Sequence, residues 1–136
     1  MSENLDLVRS IYSDWERGDF SHAEWADPDI EYVVVDGPEP GSTKGLVTVA
    51  ERMREFLSAW QEMRPEVDGY RELDEERVLV LVHRVGRGKT SGLELVKTSG
   101  AELLQIRDGK VIKLVFYWYR DRALADLGLV PEGESP

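Results

Sequence analysis

Two histidines, 27 carboxylates and a set of aromatic rings are the side chains in this sequence with the means to move a proton or grip a ligand. His83 closes the run Val78-Leu79-Val80-Leu81-Val82-His83-Arg84, which is apolar on both faces. Imidazole exchanges protons near neutral pH, so His83 is a candidate general acid or base. Such a role needs a partner that orients the ring, and the sequence identifies no carboxylate for it. The favoured reading of His83 is a hydrogen-bonded histidine at a strand end or in a dimer interface. His22, inside Ser21-His22-Ala23-Glu24, is expected at the surface. The histidines stand far apart, no Asp-x-Asp-x-Asp-Gly loop is present and cysteine is absent, so neither a metal nor another cofactor is expected. The lack of cysteine also excludes a disulfide framework and thiolate nucleophiles.

Two further runs invite a chemical reading and fail it. Gly86-Arg87-Gly88-Lys89-Thr90 has the composition of a phosphate loop without the GxxxxGK[ST] spacing, and it joins two strands where a strand-to-helix turn is required. It is expected to be a hairpin loop. The acidic run from Glu72 to Arg77 reads as a solvated turn. The aromatic set is the stronger pocket signal: Trp15 and Trp60 fall on apolar helix faces, and Phe116-Tyr117-Trp118-Tyr119 alternates along the last strand. For Trp118, core packing and ligand contact are both open. For Trp15 and Trp60 core packing is favoured.

The elements that must position these groups follow from period and punctuation. Leu5, Val8, Ile11, Tyr12 and Trp15 recur at helical spacing ahead of Gly18, which predicts a helix over 3–17. Ser21-x-x-Glu24 matches a capping box and predicts a short second helix stopped by Pro28. Ile30 to Val35 reads as a strand, and the turn formers of 36–42 as a crossing loop. Thr48-x-x-Glu51 opens a third helix whose face Val49, Met53, Phe56, Leu57, Trp60 and Met63 runs until Pro65. Strands are then predicted over Val67–Leu73, Val78–Val85, Leu93–Lys97, Ala101–Arg107 and Val111–Tyr119. Asp108-Gly109 fits a type I′ turn, whose central residues both need positive φ. Asp121 is expected to cap a last helix through Leu127, ended by Gly128 and Pro131.

With a two-residue turn, Arg107 pairs with Lys110, and Leu103, Gln105, Ile112, Leu114, Phe116 and Trp118 share one face. Glu102, Lys113, Val115, Tyr117 and Tyr119 share the other, unless a β-bulge intervenes. In that register Glu102 and Lys113 form an ion pair outside any cavity. The chain has 136 residues and a formal net charge of −10, enough for one core and a pocket and short of two domains. The acidic balance and scattered cations disfavour nucleic acid and anionic membrane as partners. The absence of a basic leader and of a long apolar run leads to the expectation of a cytoplasmic protein. One domain over 1–131 and a frayed tail over 132–136 are expected.

This order, with Trp15-Glu16-Arg17-Gly18-Asp19-Phe20, Asp27-Pro28-Asp29-Ile30-Glu31-Tyr32, Ile106-Arg107-Asp108-Gly109-Lys110-Val111 and Tyr117-Trp118, resembles the SnoaL-like branch of the nuclear-transport-factor-2-like superfamily. The resemblance implies an α+β fold in which a cone-shaped, curved antiparallel sheet wraps around helices and leaves an apolar cavity. It also implies a homodimer through the sheet and a small hydrophobic molecule as partner. In the isomerase branch, which pairs a carboxylate base with a tyrosine and a protonated acid, the base position matches about Val33, the tyrosine about Ile11 and the acid about Glu102. In the cyclase branch a histidine and an aspartate match Gln105 and Tyr119, an amide that cannot act as base and a phenol that keeps its proton at neutral pH. For the hydrolase branch, Glu31, Arg84 and Glu102 or Asp121 supply the residue types.

The expected function is therefore a small-molecule-binding domain in which an isomerase, cyclase or hydrolase step is open. Its expected lining is Trp118, Phe116, Leu114, Val33, Trp15 and Trp60, with Gln105, Tyr32, His83 or Tyr119 as polar contacts. The weak catalytic candidates are Glu102, His83 and Tyr119. The alternative is a dimeric binding or structural module without catalysis, an engineered scaffold being one form of it.

Overall fold

The computed structural model describes residues 2–37, 40–58, 60–88 and 98–129, with the side chains of 56, 57, 60–63, 86–88 and 98 excepted. The expected strand Leu93–Lys97, the tail over 132–136 and the side chain of Trp60 lie outside the described residues. Helix α1 (Glu3–Glu16) starts where the Ser2 hydroxyl accepts the Leu5 N–H at 3.0 Å, and it ends before Gly18, whose φ of +79° suits a residue without Cβ. Its apolar stripe buries Val8, Ile11, Tyr12 and Trp15.

The capping box at Ser21 does not open a helix. Asp19 takes both the N–H and the hydroxyl of Ser21, at 3.1 and 2.6 Å, in a local turn that competes with helix initiation. Strand β1 (Ala26–Val34) follows at once. Pro28 therefore lies within a strand, in the stretch between Ala26 and Glu31 where pairing to the neighbour shifts register and a missing N–H is tolerated. The expected crossing loop contains a short edge strand, β2 (Gly41–Lys44), paired antiparallel to β1.

Helix α2 (Leu46–Ser58) ends earlier than its apolar period suggested, and β3 (Trp60–Glu72) begins there with Pro65 in its middle. That is possible because β3 is the last strand of the sheet, where a proline without a donor can face outward. Strands β4 (Arg77–Gly88), β5 (Thr98–Arg107) and β6 (Lys110–Tyr117) complete the sheet, and β4 carries Gly86-Arg87-Gly88 as strand, not as the start of a loop. Asp108 and Gly109 have φ of 52° and 76°, as the type I′ turn requires. Helix α3 (Arg120–Asp126) is preceded by Tyr119 with no side-chain cap, and Asp121 sits in its first turn instead of capping it.

The sheet has the order β2-β1-β6-β5-β4-β3. It is mixed, not wholly antiparallel, because β1 lies parallel to β6 after a crossover through the rest of the chain. The fold is α+β, and the sheet is not closed. Ile30, Tyr32, Val34, Val78, Val80, Val82, Leu104 and Phe116 face α1 and α2 in one core. Leu79, Leu81, Ala101, Leu103, Val115 and Tyr117 form a second layer on the opposite face, beneath Ala123 and Leu124 of α3.

Candidate functional site

The site is set by one extra residue. Arg107 pairs with Lys110 and Ile106 with Val111, but Gln105 then pairs with Lys113, so Ile112 is a bulge. Beyond it Leu104 opposes Leu114 and Glu102 opposes Phe116. The facing expected for a regular hairpin is thereby reversed. Glu102 turns into the interior, and Gln105 turns outward, where its Nε2 donates to Glu76 Oε1 at 3.2 Å. Lys113 meets Glu31 at 3.8 Å across β1, not Glu102. The bulge allows Val111 and Leu114, an odd number of residues apart, both to be buried.

Glu102 is only 6% exposed and Arg84, on the inner face of β4, only 2%. A buried charge must be paired and hydrogen-bonded, and both are. Arg84 Nη2 donates to Glu102 Oε2 at 3.2 Å and Nη1 to the Tyr117 carbonyl at 2.8 Å. The guanidinium lies 3.8 Å from the centroid of the Phe116 ring, a cation–π contact. The fully buried Tyr12 of α1 donates its hydroxyl to Glu102 Oε1. Gly100 makes this arrangement possible: a Cβ there would stand 2.0 Å from Arg84 Nη1. Burial first, and then the adjacent Glu102 charge, hold the Tyr12 pKa well above that of a free phenol.

The cluster lies at the side of a cavity whose apolar walls include Trp15, Phe20, Met53, Leu114 and Phe116, with Tyr32, Arg64 and Pro65 completing it. Trp15 packs edge-on against Tyr12 and stacks with Phe20, at centroid distances of 4.8 and 6.0 Å. The free space is about 50 Å³. At roughly 10–15 Å³ per occupant it holds about four waters, or a molecule of similar size. Burial, and secondarily Glu102, also raise the Tyr32 pKa far above that of a free phenol, so this group is a protonated hydroxyl at any physiological pH. Unlike Tyr12, Tyr32 makes no hydrogen bond to any described residue.

Of the residues expected to line a pocket, Trp15, Tyr32, Phe116 and Leu114 do so. Trp118 lies behind them, its ring 5.3 Å from Phe116 and 5.6 Å from the Arg84 guanidinium. Its indole is seated over Gly37, where a Cβ would clash at 2.1 Å. Val33 faces the outer layer, because alternation puts Tyr32 inside. Ile11 is core, and the tyrosine of α1 that reaches the site is the next residue. Tyr119 is 59% exposed at the start of α3 and takes no part. His83 faces outward and does have a carboxylate: its Nδ1 stands 2.5 Å from Asp68 Oδ2. Asp121 and Glu31 lie away from the cavity. The sequence reading missed Tyr12, Phe20 and Met53. Tyr12 was legible as part of the α1 stripe, whereas Phe20 and Met53 carried no chemical signal.

Among the described residues no group of three His, Cys, Asp or Glu could hold a metal ion. Nor is any described helix long and apolar enough to cross a membrane. No protein-family model and no curated protein matches the sequence. Solved structures do match. An NTF2-like protein of unknown function from Burkholderia pseudomallei K96243 superposes with a TM-score of 0.75 at 20% identity, over 92% of this chain and 97% of that one.

The fold is NTF2-like.

A provisionally assigned SnoaL-like polyketide cyclase from Jannaschia sp. CCS1 is similar at TM-score 0.73 and 13% identity, over 85% of this chain and 84% of that one. TerC, co-crystallised with polyporic acid, is similar at TM-score 0.72 and 20% identity, over 93% and 98%. At such identities the likeness is one of fold, and the chemistry rests on the residues. In this NTF2-like frame the cavity lies between α1, α2 and the inner face of the sheet. Its described groups can donate a hydrogen bond from Tyr32 and present a carboxylate at Glu102.

Proposed function

We propose that the domain binds a small, neutral, largely apolar molecule through a single accepting oxygen, such as that of a cyclic ketone or an epoxide. The observation that carries this reading is the Tyr32 hydroxyl: it lines an apolar cavity, keeps its proton and has no described partner. Glu102 and Arg84 neutralise one another on one side of the cavity, which favours a neutral ligand against that side. Similarity of fold to a SnoaL-like cyclase and to TerC, which was crystallised with polyporic acid, supports a ligand-binding use of the cavity. The free volume sets the size, and growth beyond it is expected through Met53, whose unbranched thioether side chain adapts its shape. Calorimetric titration with cyclopentanone, cyclohexanone and their epoxide and hydrocarbon counterparts tests this. Saturable binding by the oxygen-bearing members, and much weaker binding by the hydrocarbons, is the expected pattern. Equal binding by all, or by none, contradicts it.

A catalytic step is the finer proposal, and it runs through Glu102, the one carboxylate among the described lining residues. Each of its oxygens keeps a second acceptor site beyond its bond to Tyr12 or Arg84, so it can receive a proton from the carbon next to a bound carbonyl. Exchange of that carbon-bound proton for deuterium, followed by NMR, is expected to exceed the buffer rate and to fall to it in Glu102→Gln. Exchange at the buffer rate in the native protein leaves the binding module without catalysis.

A further inference from the structure

On the outer face of the sheet, away from the cavity, three side chains from adjacent strands line up in a chemically specific order. Ser99 on β5 is exposed and stands directly opposite His83 on β4. Its Oγ is 3.1 Å from His83 Nε2. The other ring nitrogen, Nδ1, is 2.5 Å from Asp68 Oδ2, and both side chains are about one-third exposed. Asp68 occupies a second bulge, between Val67 and Gly69, opposite Val82 and Leu81, from which its side chain reaches His83. Arg120 of α3 fixes the same carboxylate oxygen from the far side at 2.5 Å and donates to the carbonyls of Val82 and Gly100. A carboxylate that holds Nδ1–H leaves Nε2 as the acceptor, the tautomer needed to take a proton from a hydroxyl.

We propose that Ser99 is an activated nucleophile that accepts acyl groups from small carboxylic esters. Its Oγ attacks the ester carbonyl as its proton passes to His83 Nε2. The bond from the acyl carbon to the alkoxy oxygen breaks, and the alcohol leaves with that proton. Water then attacks the acyl-serine with His83 again as base, which releases the carboxylic acid and restores Ser99. Arg120 is committed to Asp68 and two carbonyls, so it does not serve a developing oxyanion. Both steps go without that stabilisation, and the good leaving group of an activated ester speeds acylation alone, so the acyl-serine accumulates.

The full-length protein treated with p-nitrophenyl acetate or a fluorophosphonate, then mapped by peptide mass spectrometry, tests this. Ser99 is expected to be modified at least tenfold faster than exposed Ser10 or Ser13. The adduct is expected to vanish in Ser99→Ala and to form at least tenfold more slowly in His83→Gln and in Asp68→Asn at unchanged Tm. Modification of Ser99 no faster than Ser10, or a rate indifferent to His83→Gln, overturns the proposal. Selectivity in the native protein decides the matter even where a variant fails to fold.

Discussion

Glu102 and Arg84 occupy positions from which water is nearly excluded, so each is stable there only through the other and through Tyr12 and the Tyr117 carbonyl. Removing one partner strands the other. Arg84→Leu is expected to cost about 3–5 kcal/mol in urea unfolding, and the double change Arg84→Leu, Glu102→Leu less than either single change, since an apolar pair leaves no uncompensated charge. Gly100→Ala is expected to resemble Arg84→Leu, because the new methyl takes the space of the guanidinium. Tyr12→Phe deletes one donor to Glu102 and is expected to cost about 1–3 kcal/mol. The raised pKa of Tyr12 gives the linked pH dependence its sign. The unfolded chain releases the phenol proton near the ordinary value of 10.0 while the folded chain retains it. Stability is thus fully present below about pH 10 and declines as pH rises towards the folded value. Absorbance of tyrosinate at 295 nm against denaturant midpoint over pH 8–12 measures this, with a shallower decline expected in Tyr12→Phe.

At the scale of elements, facing is decided by bulges that period alone does not reveal. The strand alternation, the Asp108-Gly109 turn and the α1 stripe were legible because each states its geometry locally. Ile112 is not distinguishable in sequence from an ordinary strand residue, yet it decides that Glu102, not Gln105, enters the cavity. The same local ambiguity misplaced the end of α2, since Trp60 and Met63 continue a helical period while belonging to an edge strand. It also turned a turn at Asp19 into an expected helix, because an aspartate two residues before Ser21 can out-compete the capping box. Deleting Ile112 is expected to remove the bulge while Gln105 stays opposite Lys113 and Glu102 opposite Phe116, so the buried ion pair survives and the cost stays below the roughly 3 kcal/mol of breaking it. Gly109→Ala, at φ +76°, keeps the register and is expected to cost only about 1–2 kcal/mol. A deletion variant that loses as much stability as Arg84→Leu would show that the buried pair depends on the bulge itself and not on the register beyond it.

Across the whole molecule, the two faces of the sheet serve different purposes. The resemblance implied a homodimer through the sheet, whose outer face would otherwise need cover. Within one chain α3 supplies that cover to Leu79, Leu81, Leu103 and Val115. A homodimer remains a proposal, with α3 and exposed Tyr119 as the surface it would use in place of bare strand. Sedimentation velocity at micromolar concentration tests it, and a monomer-sized species contradicts it. The formal charge of the chain is −10, while the described cavity lining has one carboxylate, Glu102, paired with Arg84, and a second cation, Arg64. The central claim is that the Tyr32 hydroxyl receives the ligand's oxygen in this largely apolar space. Calorimetric titration of cyclohexanone into the native protein and into Tyr32→Phe, with Tyr119→Phe as control, measures it most directly. Affinity at least tenfold weaker in Tyr32→Phe and unchanged in Tyr119→Phe is the predicted result, and equal affinity in all three proteins would contradict it.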